Sequence, residues 1–136
     1  MKYIVLLVIA MSVLADVTNE GKVIELTSDN FNSIVLESKQ DVLVKFFAPW
    51  CGHCKNMAEA YKTLAANLAD NQNVLIAEMD WTQHKTEAVE IKGFPTLVFF
   101  KKGGEKPEQI KFQRARTAEA MEEFIRENSS FQREDL

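Results

Sequence analysis

Cys51 and Cys54 are the only cysteines in 136 residues, three positions apart in Phe46-Phe47-Ala48-Pro49-Trp50-Cys51-Gly52-His53-Cys54-Lys55. Thiols at that spacing can close and open a small disulfide ring, which is redox chemistry. A strand-like apolar stretch precedes them and a helix-like stretch follows. Cys51 then falls at a helix N-terminus, where unpaired N–H groups and the macrodipole favour a thiolate, the attacking species in disulfide exchange. Cys54 lies one turn further on the same side, placed to attack a mixed disulfide on Cys51 and release the partner. Other readings are weaker. A loop this short is a poor structural staple, because closing it removes little entropy from the unfolded chain. A tetrahedral zinc site needs four ligands; Cys51, His53 and Cys54 crowd one centre, and His84 is the only other histidine. Inert buried thiols do not suit the company of Trp50, Gly52 and His53.

The elements that must hold this pair follow from hydrophobic periodicity. Val23–Leu26 reads as a short strand, and Thr27 or Ser28 as the cap of a helix over Asn30–Glu37. Val42–Phe47 is a buried strand interrupted by the charge of Lys45. Cys51–Ala69 reads as one long helix with Met57, Tyr61, Leu64, Ala65 and Leu68 on its core face. Val74–Met79 is a strand, Lys85–Val89 a short helix and Thr96–Phe100 a strand. Gly103-Gly104 make a turn to a strand at Gln109–Phe112. Ala118–Glu127 is a closing helix, with a frayed polar tail from Ser129. This order predicts an α/β fold, a mixed central sheet with helices on both faces.

Both ends of the chain carry address-like features. Met1–Ala15 has a basic start, an apolar run and small residues before a cut, the pattern of a secretory signal peptide, too short to span a membrane. The domain is expected over 16–128, with no membrane span after cleavage. The terminus Arg133-Glu134-Asp135-Leu136 is similar to the Lys-Asp-Glu-Leu retrieval signal with its acids reversed, which predicts a retrieval receptor as partner and the lumen of the endoplasmic reticulum as location. Disulfides form and persist in such a compartment. The net charge of −4 makes nucleic acid an improbable partner. Asn128-Ser129-Ser130 is an N-glycosylation tripeptide, a common pattern with occupancy open.

The stretch Val44–Lys55, with Ala-Pro-Trp-Cys-Gly-His-Cys-Lys intact, resembles the catalytic domain of protein disulfide isomerases. Leu26-Thr27 with Asn30-Phe31, Gly93-Phe94-Pro95-Thr96 and Gly103-Gly104 extend the resemblance over roughly Val23 to Asn128. It implies a thioredoxin fold. It implies Cys51 as exposed nucleophile and Cys54 as buried resolving thiol, alternating between a dithiol and a Cys51–Cys54 disulfide. Pro95 is expected to follow a cis peptide bond beside the dithiol, leaving the backbone of Phe94 free to pair with substrate. Trp50, Phe94 and Pro95 would form an apolar rim for unfolded chains; Trp81 is a weaker candidate for the same rim. His53 can stabilise a Cys51 thiolate by a hydrogen bond or by charge.

Four departures stand out. Lys45 occupies the place of the family's buried glutamate, and Glu78 that of a lysine, so the pair is charge-reversed. Both are expected to face the interior near Cys54, where each needs the other, and either is a candidate to serve Cys54. Glu59 replaces a kinking proline, which predicts a straighter active-site helix. Arg114 replaces a glycine two positions before the mobile arginine, here Arg116, which is expected to swing toward Cys54.

The reading is a thiol–disulfide oxidoreductase or isomerase. Its expected partners are unfolded or misfolded secretory proteins with thiols or disulfides, and glutathione or another upstream oxidant. No metal, nucleotide or flavin site is visible. A thioredoxin-like reductase and a non-catalytic chaperone module are the alternatives; the Gly52-His53 dipeptide and the oxidising compartment weigh against the reductase.

Overall fold

The computed structural model describes residues 17–130; the leader-like segment and the Arg133–Leu136 terminus lie outside them. Five strands, β1 (Ile24–Leu26), β2 (Asp41–Phe47), β3 (Val74–Asp80), β4 (Thr96–Lys101) and β5 (Glu108–Lys111), form one sheet in the order β1-β3-β2-β4-β5. β1 and β2 both run parallel to β3, while β4 is antiparallel to β2 and to β5. The mixed sheet with both faces covered is the thioredoxin fold the sequence implied.

β2 is central because it is apolar on both sides. Val42, Val44 and Phe46 face one core, with Leu26, Phe31 and Phe100. Leu43 faces the other, with Tyr61, Leu97, Phe99 and Phe124. Lys45 shares the parity of Leu43, and so points at the layer made by α1 (Gly52–Asn56), α2 (Ala58–Asn67) and α3 (Ala118–Asn128). At the β4–β5 turn, Gly103 and Gly104 have φ of 146° and 94°, a region that disfavours side chains. No helix among the described residues is long and apolar enough to cross a membrane.

Four local expectations are corrected. The first helix is a five-residue π-helix, Asn32–Leu36, closed by Glu37 N–H to Asn32 O at 2.9 Å. Thr27 is its entry residue: its hydroxyl accepts the N–H groups of Asp29 and Asn30, while Asn30 Oδ1 accepts that of Thr27. The long helix, expected to be straighter because Glu59 replaces the proline, is broken at Met57, which has φ of −96° and ψ of 0° and is buried. Residues 85–89 are not helical. Their N–H groups go to hydroxyls instead, Lys85 to Ser28 Oγ and Ala88 to Thr86 Oγ1, which competes with a helical ladder. Finally, Ser129 and Ser130 are not frayed; both bond to the buried Asp41.

Candidate dithiol site

Both cysteines sit just past the C-terminal end of β2. Cys51 is the N-cap of α1: its extended backbone turns the chain into the helix, and its Sγ accepts the N–H of Cys54 at 3.1 Å. The thiols are free and form a small cluster with Ala48, flanked by Phe47 and Phe94. Cys51 was expected to be exposed, but it is 6% exposed against 4% for Cys54. Capping folds the Cys51 sulfur back over the helix and under these aromatic neighbours. The two thiols therefore differ little in access.

The Cys54 thiol is perturbed. Burial pushes its thiol up to about 11, its contact with Cys51 adds to the rise, and a backbone hydrogen bond with Ala48 and the charge of Lys45 oppose it. Lys45 and Glu78 are register partners on β2 and β3, with Nζ and Oε1 3.2 Å apart. The Lys45 side chain is 5% exposed, and its ammonium lies 4.8 Å from the Tyr61 ring centre and 5.4 Å from that of Phe47. Glu78 was expected to face the interior. Its side chain is 25% exposed, lining a cleft of about 240 Å³ with Glu25, Thr27, Asp80 and His84. The pair thus runs from the thiol layer to the surface.

The rim residues come together. The Phe94–Pro95 peptide is cis. Trp50 is 70% exposed and meets Phe94 edge to face, with ring centres 5.7 Å apart. Gly52 and His53 are exposed on the same turn. Trp81 is a packing residue instead, edge-on to Phe46 at 5.5 Å and beneath Lys85.

Arg116 is exposed, with no ion pair among the described residues, and lines a groove of about 530 Å³ that includes Pro95, Thr96 and Lys111. Arg114 is engaged: it bonds Glu127 at 2.8 Å and lies over the Phe124 ring. That contact raises the Arg114 guanidinium and lowers the Glu127 carboxyl.

Tyr61 was read only as core. Its hydroxyl is shared between the carbonyls of Leu43 and Ala77, and burial together with the Glu78 charge holds its pKa well above the usual phenol range. A tyrosine among the apolar positions of the helix was the available signal, since a buried phenol needs a partner.

A dithiol capping a helix at the end of the central strand, opposite a cis-proline loop, defines a thiol–disulfide domain of thioredoxin type. The comparisons agree. The sequence matches the thioredoxin family over residues 22–127. It is 41% identical over 113 residues to the protein disulfide-isomerase of Saccharomyces cerevisiae and 42% identical over 103 residues to that of Drosophila melanogaster, covering 82% and 76% of this chain. It spans only 22% and 20% of those relatives. The solved first thioredoxin domain of mouse protein disulfide-isomerase A4 superposes with a TM-score of 0.66 at 32% identity, over 85% of this chain and 81% of that one. The chain belongs to the thioredoxin family, as a domain of the protein disulfide isomerase type.

Proposed function

We propose that this domain forms and rearranges disulfides in secretory proteins. The observation that carries the reading is the geometry of two free thiols at one helix start: Cys51 caps the helix and its sulfur accepts the N–H of Cys54, whose own thiol is raised by burial. Cys51 attacks a substrate disulfide as thiolate, the Cys51–substrate bond forms and the substrate's second sulfur leaves. Cys54 then loses its proton, attacks Cys51, and the substrate leaves as a thiol; oxidation of a substrate dithiol runs the same steps backward. Trp50, Phe94 and Pro95 supply an apolar edge where an extended segment can lie. Lys45 acts on Cys54 as a positioning residue, favouring its thiolate by charge, and Glu78 passes protons to the cleft. Arg116, with no ion pair among the described residues, supplies a second positive charge when it swings inward. The leader-like first 15 residues and the Arg133–Leu136 terminus support an endoplasmic reticulum location and a retrieval receptor as partner.

Equilibration with glutathione tests the direction of the chemistry. A potential near about −180 mV is expected, against about −270 mV for a reductase of thioredoxin type. The value at the reductase end overturns the oxidative reading. With Cys54→Ser, mixed disulfides with a disulfide-bonded, unfolded substrate should accumulate on Cys51 as the substrate's second sulfur leaves; no trapped adduct would mean the roles are wrongly assigned.

A further inference from the structure

Two features stand apart from the dithiol. Asp41, at the start of β2 and at the far end of the strand from Cys51, is the only carboxylate buried among the described residues, with no exposed surface. Asn128-Ser129-Ser130 is a glycosylation tripeptide at the end of α3. The fold joins them. Asp41 Oδ1 accepts the Lys102 N–H at 2.8 Å and the Ser130 hydroxyl at 2.6 Å. Its Oδ2 accepts the Ser130 N–H at 2.9 Å and the Ser129 hydroxyl at 3.1 Å. Asn128 is still helical, and its Nδ2 donates to Phe124 O at 2.9 Å.

Glycan transfer needs what this arrangement occupies. The Asn amide nitrogen is the nucleophile, and the hydroxyl two residues later is bound by the transferring enzyme. The donor is an oligosaccharide on a lipid diphosphate. A bond forms between Asn128 Nδ2 and sugar C1, the bond from C1 to the diphosphate oxygen breaks, and Nδ2 gives up one proton. In the folded domain the nitrogen is committed to the helix and the hydroxyl to a buried carboxylate. Presenting both at once requires residues 128–130 to leave Asp41 and the last turn of α3 to open.

We propose that Asn128 is a fold-gated N-glycan acceptor: the tripeptide is open on the unfolded or undocked chain and closed once Ser129 and Ser130 bind Asp41. Only the physiological setting rests on the secretory placement above; the masking does not. The full chain is purified and given a eukaryotic single-subunit oligosaccharyltransferase and a lipid-diphosphate-linked oligosaccharide, with product read by mass. A peptide of residues 122–136 is the open reference, and Ser130→Ala sets the background. Three hydrogen bonds from Ser129 and Ser130 to a buried carboxylate predict folded wild type slower than the peptide by on the order of a hundred-fold. Asp41→Ala, checked for a cooperative thermal transition, should move at least about ten-fold toward the peptide. Asp41→Asn, which keeps the volume but offers a single acceptor oxygen, should lie between and serves if Asp41→Ala does not fold. Wild type modified at the peptide rate overturns the proposal. So does a folded Asp41 variant as slow as wild type. A chain that never enters the secretory pathway would leave these rates unchanged, so failure of the cellular placement and failure of the gate are separable.

Discussion

Asp41 and Lys45 lie four residues apart on one strand, both buried, and their charges are met differently. Asp41 takes four hydrogen bonds from neutral N–H and O–H donors, and no cation pairs with it among the described residues. Lys45 has one carboxylate partner and two aromatic faces. A carboxylate ringed by fixed dipoles is pinned, and its role is to hold chain segments together. An ammonium with one ion-pair partner that reaches a solvent cleft keeps a field that acts on its neighbours, and Cys54 is the neighbour that titrates. The same strand thus carries a structural charge at its start and, toward its other end, the charge proposed to act on Cys54.

The comparison breaks most visibly at Asp41. Asp41→Ala removes the acceptor of four hydrogen bonds from Lys102, Ser129 and Ser130, so chemical unfolding should show a loss of about 3–5 kcal/mol. Alkylation of the dithiol in the folded variant should match wild type, because the change is at the opposite pole. A variant that folds normally but exchanges slowly would mean the two ends are coupled.

Lys45→Met should do the reverse. Release of substrate from the mixed disulfide, followed by quenched-flow, should slow about ten-fold at neutral pH, because Cys54 loses the charge that favours its thiolate. Stability should change less than for Asp41→Ala, since methionine fills the space of the lysine stem and Glu78 can turn into the cleft. An unchanged release rate would make the pair structural.

The pH dependence sharpens the contrast. Burial raises the Cys54 thiol from an ordinary 9.0 to about 11. The folded state therefore holds this proton longer than the unfolded chain does. Stability from this group is intact below about pH 9 and declines as pH rises toward about 11. Alkylation of Cys54 in a Cys51→Ala background should climb through the same window. It should shift to lower pH than in the intact dithiol, because the contact with Cys51 is among the causes of the rise. A profile that levels off near neutrality would mean the thiol is not desolvated as described.

Smaller effects are expected at the surface. Glu78→Gln should slow release a few-fold at neutral pH and less at high pH, where the thiol ionises unaided. The swap Lys45→Glu with Glu78→Lys should recover both stability and rate. Arg114→Ala breaks an exposed pair and should barely move the denaturant midpoint. Arg116→Ala should slow reoxidation more than Arg114→Ala; the opposite order would assign the role to Arg114.

Much of this protein was legible as sequence because the signals are local. Alternating and unbroken apolar runs named all five strands, since burial on one or two faces leaves a period in the chain. The Cys51–Cys54 spacing is local in the same way, while the Gly93-Phe94-Pro95-Thr96 loop and the pairing of Lys45 with Glu78 were legible through the resemblance to protein disulfide isomerases. What tertiary structure decided are the places where distant groups compete with local preference. The helix breaks at Met57 although its segment keeps helical periodicity and carries no proline. Residues 85–89 forgo a helix because hydroxyls nearby and on another segment accept their N–H groups. The shallow burial difference between Cys51 and Cys54 depends on Phe47 and Phe94, one from a strand end and the other from a loop some forty residues away. Asp41 drew no reading from the sequence, where the strand was expected to start at Val42. Its partners lie 61 to 89 positions away, and no local period encodes a hydrogen bond across that separation.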